Sequence, residues 1–374
     1  MNETKYWVVL SMVLGAASRR LWQLMCLYDS AEDAYESLIN GDPQLHLTEA
    51  EMRDLRSFTP DHAMQIMEHC ARNGIDVISY RSPDYPAQLR RIADPPAVLY
   101  VRGNIDALKG RMSVTAVGTR AASQYSLTAA DRICGELAEN GVVIVSGFAL
   151  GLDIASHMAA ASRNKPTVCV MGCGVDVDYP KQNFRYRDKI LAAGGAFISE
   201  YPPGTPPHQG NFPKRNRILS ALGRAAIVFE ASEKSGSLIT ASLAAEQGRT
   251  VFCIPPADIF SGAFSGNIRL LKEGALPLFG AEDVLSCFAP GSPIRLDIRR
   301  EAFDMLRQQS ADRSRTKNRP VSSITERLDA ADPKPETHRV VPVKQKSTRP
   351  AQSGINKPKK QEKENSAPQI KLEG

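Results

Sequence analysis

Between residues 111 and 287, short apolar, β-branched runs alternate with stretches of helical period, and this alternation most constrains the fold. The runs fall at 113–117, 142–145, 167–171, 196–198, 225–229 and 250–254. Segments with a 3.6-residue period lie between them, at 126–140, 154–163, 186–193 and 238–247. Strands this short and this uniformly apolar keep both faces out of water, which is the signature of a parallel sheet covered by helices on each side. Right-handed crossovers between consecutive strands then predict a doubly wound, mostly parallel α/β sheet.

The flanks differ in composition. Residues 1–80 carry helical patterning, with apolar positions at Trp7, Val8, Leu10, Val13, Leu14, Leu21, Leu24, Met25, Leu27, Tyr28, Met64, Ile66 and Met67. Asp29-Ser30 ahead of Ala31-Glu32-Asp33 is a helix-start signal with acids in the first turn. A small helical domain of the SAM-like kind is expected there. Residues 75–110 form a connector rich in Pro and Tyr, with one short strand at 97–101, and the sheet domain runs from 81 to 290. No aromatic follows Phe303, and Pro, Ser, Lys, Gln and Glu dominate. Such a segment buries too little apolar surface to offset its ordering entropy, so 291–374 is expected to be a disordered tail with one short helix near 296–307.

The net charge of +6 is unevenly spread: from Gly291 onward 19 Lys and Arg face 11 Asp and Glu, while the preceding residues carry 28 against 30. A basic tail on a near-neutral body suits a polyanionic partner. No apolar run approaches the roughly 20 residues of a membrane span. The apolar stretch Trp7 to Leu14 follows Glu3 and Lys5 without a basic n-region or small-residue cleavage site, so no signal peptide is read. Seven cysteines at 26, 70, 134, 169, 173, 253 and 287 form no C-x-x-C pair. Odd in number and mostly flanked by apolar residues, they suggest reduced core thiols in a cytoplasmic protein; no metal site is expected.

In a doubly wound sheet, ligands bind outside the carboxyl ends of the strands. The residues there are Gly118-Thr119-Arg120, Ser146-Gly147, Gly172-Cys173-Gly174, Ser199-Glu200, the stretch from Glu230 to Thr240, and Pro255-Pro256. Small residues dominate, so backbone can approach a ligand closely. No G-x-G-x-x-G follows the first strand and no G-x-x-x-x-G-K-[ST] occurs, which argues against dinucleotide chemistry and P-loop hydrolysis. The densest signal is Phe212-Pro213-Lys214-Arg215-Asn216-Arg217: three cations, an amide and an aromatic ring within six residues. It reads as a loop whose ring stacks on a base and whose cations meet phosphate. Arg215 and Arg217 point different ways; one of them can bind phosphate while the other pairs with an acid such as Glu200 or Glu230. Ser235-Gly236-Ser237, leading to Thr240, reads as an N-cap that still offers helix N-terminal donors to an anion. Asp153 and His157 lie four apart on one helix, and without a nucleophile or metal set they read as a helix-start acid and a structural histidine.

With these loops in place, the chain resembles the DNA-processing protein A family, also called Smf, over 80–285. The resemblance rests on Tyr85-Pro86 with Leu89, Asp94-Pro95-Pro96, Gly118-Thr119-Arg120, the glycine loop from Ser146 to Asp153, Tyr179-Pro180, Ser199-Glu200-Tyr201-Pro202, Phe212 to Ile218, Ser235 to Ala241, Gly248-Arg249 and Gly266-Asn267. It implies an extended Rossmann-like domain that binds single-stranded DNA, protects incoming strands during natural transformation and helps load the recombinase RecA. It also implies a homodimer with no cofactor and no catalytic step. By position, Arg120 would hold a phosphate, Phe212 would stack on a base, and Lys214, Arg215, Asn216 and Arg217 would line the same pocket. Gly118, Thr119, Ser146, Gly147, Ser235, Gly236, Ser237, Thr240 and Asn267 would complete it. The chain departs from the family pattern at Leu150, where arginine is usual, and at Pro256, where glycine is common. The tail stands where relatives often carry a winged helix, and Gly15 alone does not make a helix-hairpin-helix glycine pair. The competing reading is a nucleotide hydrolase of the Log-type phosphoribohydrolase kind, with Glu246 as candidate acid, although the Pro-Gly-Gly-x-Gly-Thr loop of those enzymes is replaced by Ser235-Gly236-Ser237.

Overall fold

The computed structural model describes residues 2–289 apart from 17 and 42–45. These residues fall within one compact unit. The expected tail at 291–374, with its short helix, lies outside them.

Five helices come first: α1 (Asn2–Val13), α2 (Arg19–Met25), α3 (Ala31–Ile39), α4 (Glu49–Ser57) and α5 (Pro60–Arg72). Their starts follow local chemistry. Ser30 Oγ accepts from Asp33 N at 3.0 Å, Thr48 and Glu51 close a capping box, and Pro60 opens α5 where a missing N–H costs nothing. The chain then enters the sheet with β1 (Asp76–Ser79), β2 (Val98–Gly103) and β3 (Ser113–Val117). Alternation follows: α6 (Gln124–Glu139), β4 (Val143–Ser146), α7 (Leu152–Ala161), β5 (Thr167–Val170), α8 (Arg187–Ala192) and β6 (Ala196–Ser199). It continues with α9 (Asn211–Leu222), β7 (Ala225–Val228), α10 (Gly236–Glu246), β8 (Thr250–Cys253), α11 (Ser265–Lys272), β9 (Leu276–Pro277) and α12 (Ala281–Phe288).

The nine strands form one sheet in the order β1-β2-β6-β5-β4-β3-β7-β8-β9. From β6 to β9 all neighbours are parallel, and β1 and β2 extend that edge antiparallel. The doubly wound expectation therefore holds, each central strand being buried along its full length. One face carries α6, α7 and α12 on Val114, Ala116, Ile144 and Ile227. The other carries α9, through Ile218, Leu219, Ala221 and Leu222, on Val143, Val145, Val168 and Val170. Two polar strand residues fix α9 in place: Ser113 Oγ donates to Leu222 O and Thr115 Oγ1 to Leu219 O, both at 2.5 Å. Each hydroxyl satisfies a carbonyl that the end of the helix would otherwise leave unpaired.

The first eighty residues do not stand apart. Trp7, Val8, Val9 and Leu10 share a core with Tyr100, Phe148, Cys169 and Phe197 of the sheet and its loops. Trp22 packs edge-on to Tyr80 at 4.6 Å and its Nε1 donates to Pro95 O. Strand β1, unread in the sequence, completes the seam.

Candidate functional site

The strand order reverses at β3, which has β4 on one side and β7 on the other. Loops there diverge and leave a crevice. A narrow pocket of about 50 Å³ opens at this rim. Arg120 follows β3, Gly147 follows β4, Gly172 follows β5, and Phe212 and Arg215 come from the first turns of α9; all line it, with Tyr179 and Pro180 as the outer wall. Residues far apart in the chain thus converge on one rim, and the ring of Phe212 shares the pocket with Arg120.

The segment read as a loop is helix: α9 begins at Asn211 and contains 212–217. Pro213 is tolerated in the first turn because its missing N–H has no intrahelical partner there. Helical geometry spreads the side chains. Lys214 is exposed, Phe212 and Asn216 are half-buried, and Arg215 and Arg217 are each only 5% exposed.

Arg217 turns away from the pocket. Its Nη1 and Nη2 donate to Glu200 Oε1 and Oε2 at 2.8 and 2.6 Å, and Nε donates to Asp94 O at 2.9 Å. Burial alone would weaken its proton affinity, but Glu200, with Asp94 and Tyr201 beside it, more than offsets this and raises it. Arg215 faces the pocket. Its Nη1 donates to Val170 O, its Nε is buried without a partner, and it makes no ion pair among the described residues. Burial lowers its proton affinity, with Asp153 the nearest compensating charge. An arginine buried on these terms favours an incoming anion.

Two glycines seat these groups. A Cβ at Gly147 would collide with the Arg215 guanidinium, and one at Gly172 would lie 2.8 Å from Phe212 Cδ1. The loop between β4 and α7 is held under tension. Phe148 has φ of +57°, a costly region for an aromatic residue. It is fixed by an edge-on contact with Phe197 at 5.0 Å and by Asn183 Nδ2, which donates to Phe148 O and Ala149 O at 2.8 and 3.0 Å. Asp153 Oδ2 accepts from Gly147 N at 3.2 Å. Burial pushes its carboxyl up, against the pull of Arg215 and these N–H groups. Beneath, Thr167 Oγ1 donates its one proton to Ile144 O, so His157 Nδ1, 2.7 Å away, is the donor to that hydroxyl. Burial holds His157 neutral, its pKa lowered to about 3. The Asp153 and His157 pair is therefore structural.

Arg120 projects from an exposed loop anchored at both ends. Thr119 N donates to Glu230 O at 2.8 Å, and Glu230 Oε2 accepts from Ser123 N and Oγ at 2.9 and 2.6 Å.

Several expected contact residues lie under the surface. Asn267 is fully buried: its Oδ1 accepts from Ala231 N and its Nδ2 donates to Phe229 O and Ile254 O. It ties the ends of β7 and β8 and cannot touch a ligand from there. Ser146 Oγ donates to Ala116 O, and Thr240 is buried. Gly118 packs on Leu152. Ser235 caps α10 as expected, accepting from Ser237 N at 3.4 Å. The 235–237 turn stands at the carboxyl end of β7, outside the pocket lining. Glu246 sits at the opposite end of α10, about 16 Å along an 11-residue helix from that rim. Tyr179, read from the sequence only among the residues that carry the resemblance, also belongs to the site. Its ring lies 5.5 Å from that of Phe212 at 35°, and its local sequence signal was an aromatic-proline pair in a loop after a strand. Leu150 lines the same wall. Among the described residues no group of metal-ligating side chains occurs, and no helix is long and apolar enough to cross a membrane.

The architecture is that of a doubly wound α/β protein with a basic and aromatic pocket at its switch point. The family model for DNA recombination-mediator protein A matches residues 76–289, and the chain belongs to that family. The DNA processing protein DprA of Bacillus subtilis is 40% identical over 211 residues, 56% of this chain and 70% of that one. Its Streptococcus pneumoniae counterpart is 44% identical over 204 residues, 54% and 71% of the two chains. The solved Streptococcus pneumoniae structure superposes with a TM-score of 0.66 at 34% identity, covering 78% of this chain and all of that one. The Helicobacter pylori protein, solved for its single-stranded DNA binding mode, gives 0.51 at 32% identity over 56% and 94%.

Proposed function

We propose that the protein is a non-enzymatic, single-stranded DNA-binding recombination mediator, and that the pocket at the switch point grips one nucleotide of the strand. The observation that carries this reading is the convergence of Phe212, Arg120 and the unpaired Arg215 on one pocket. The ring offers a sequence-tolerant stacking face, Arg120 an exposed phosphate contact, and Arg215 a buried cation awaiting an anion. Lys214 and the donors at the start of α10 extend the positive rim. Gly118, Thr119, Ser146, Gly147, Thr240 and Asn267 shape the loops that hold it. A binding role fits the lining, which contains no carboxylate; its one thiol, Cys173, is pushed up by burial to about 11, which disfavours the thiolate.

In the cell the protein protects incoming strands in the cytoplasm during natural transformation and hands them to RecA. It works as a homodimer, for which the open edge at β9 and the exposed Ile259, Phe260 and Phe279 are the candidate face.

The test is the double variant Phe212→Ala with Arg120→Ala in a filter-binding assay with single-stranded oligonucleotides. Loss of one stacked base and one phosphate contact is expected to weaken binding at least about a hundredfold while the circular dichroism spectrum stays that of wild type. Wild-type affinity in the double variant would refute the pocket.

A further inference from the structure

We propose that the bound strand leaves the pocket along the turn after Pro180 and that Phe184 is a second stacking platform there, a role the pocket reading does not assign. The inference rests on that reading, since it continues the same strand. Tyr179 and Pro180 form the outer wall of the pocket, and a 3-10 turn, Lys181–Tyr186, begins at the next residue. The turn is tied to the site: buried Asn183 donates to the carbonyls of Phe148 and of Ala149, the latter a pocket-lining residue. With Asn183 facing inward, its neighbour Phe184 is turned to solvent and left 49% exposed.

Exposed single hydrophobics are common, so exposure alone decides nothing. The setting decides. Lys181 and Arg185, both exposed, flank Phe184. Arg185 is stiffened against Tyr186: its guanidinium lies 4.8 Å from the ring centroid and its Nη2 donates to Tyr186 Oη at 2.8 Å. From Asp178 to Lys189 four cations face two acids, and one of those acids is engaged by Arg187. An aromatic face interleaved with cations, continuous with a pocket of the same chemistry, fits an unpaired polynucleotide. A protein partner would gain little from so small a ring set among like charges.

The experiment compares two oligothymidylates, about 2 and about 16 nucleotides long, against wild type, Phe184→Ala, and the pair Lys181→Ala with Arg185→Ala. All three substitutions are at exposed positions, so folding is retained. Phe184→Ala is expected to weaken the long oligonucleotide roughly tenfold and leave the short one unchanged. The double variant is expected to lower the slope of log affinity against log salt by about one to two for the long oligonucleotide only. Unchanged binding of both lengths overturns the proposal and leaves the Phe184 face to a protein partner. An equal loss at both lengths also overturns it, since it places the effect in the pocket itself. Wild-type protein that binds neither length refutes the pocket reading first, whereas intact pocket binding with an indifferent Phe184 refutes only the extension.

Discussion

On the connector flank of α9, Arg217 donates to both oxygens of Glu200 and to the Asp94 carbonyl. On the pocket flank, Arg215 is as deeply buried but holds one backbone carbonyl and leaves Nε unpartnered. They lie two positions apart on one helix, and the sheet below is the same. The difference lies in what the neighbouring loops supply: a carboxylate at the end of β6 for one, and glycines at the ends of β4 and β5 for the other. A buried cation with its counterion in place locks elements together, while one without it is poised to meet a ligand's anion.

The largest effect is expected on the paired side. Glu200→Ala leaves Arg217 charged and buried without its partner and should cost about 3–5 kcal/mol of stability. Denaturant unfolding would register this as a lower midpoint. A change below about 1 kcal/mol would mean the pair is solvated, and the scaffold role would fall.

Across the helix the effects should be reversed. Arg215→Met removes a cation that no ion pair holds, so its stability cost should be the smaller of the two, about 1–2 kcal/mol, the relieved desolvation partly offsetting the lost hydrogen bond to Val170 O and the charge lost beside buried Asp153. Binding of single-stranded DNA should weaken by about 1.5–3 kcal/mol, the usual value of a charge-assisted contact. Unfolding and oligonucleotide titrations on the same preparation would separate the two. A variant that unfolds readily yet binds normally would invert the assignment.

Much of this was legible in the sequence, and the exceptions have physical reasons. Strand and helix periods fixed the sheet because parallel strands are apolar throughout, and Ser30 and Ser235 announced their helices by capping chemistry. The segment 212–217 was misread as loop because charge density and proline dominate its local pattern. Its helicity comes instead from docking of Ile218, Leu219 and Leu222 on the sheet, a tertiary effect outside any local window. That one arginine would pair was readable from the spacing, but which one was not, since that depends on where Glu200 emerges. Asn267 looked like a ligand contact because a Gly-Asn pair after a loop suits either role, and only the three backbone groups around it show that it braces strands. Strand β1 was missed because its four residues include Asp76 and Ser79 and are paired only along one edge.

The pocket flank also makes a claim about pH. His157 lies beneath Arg215, and both burial and that guanidinium oppose a second positive charge, so its folded pKa is about 3 against 6.5 unfolded. For a group whose folded pKa is depressed, stability is fully present above the unfolded value and is lost as pH falls toward the folded one. The chain should therefore be most stable with respect to this residue above pH 6.5 and lose about 2 kcal/mol by pH 5, at roughly 1.4 kcal/mol per pH unit. His157→Gln keeps a donor for Thr167 and cannot protonate, so its stability should be flatter over that range, its deficit against wild type narrowing as pH falls. Parallel curves for the two proteins between pH 7 and 5 would show that His157 already finds water or an anion when charged. The pocket flank would then be less starved of negative charge than its bare arginine implies.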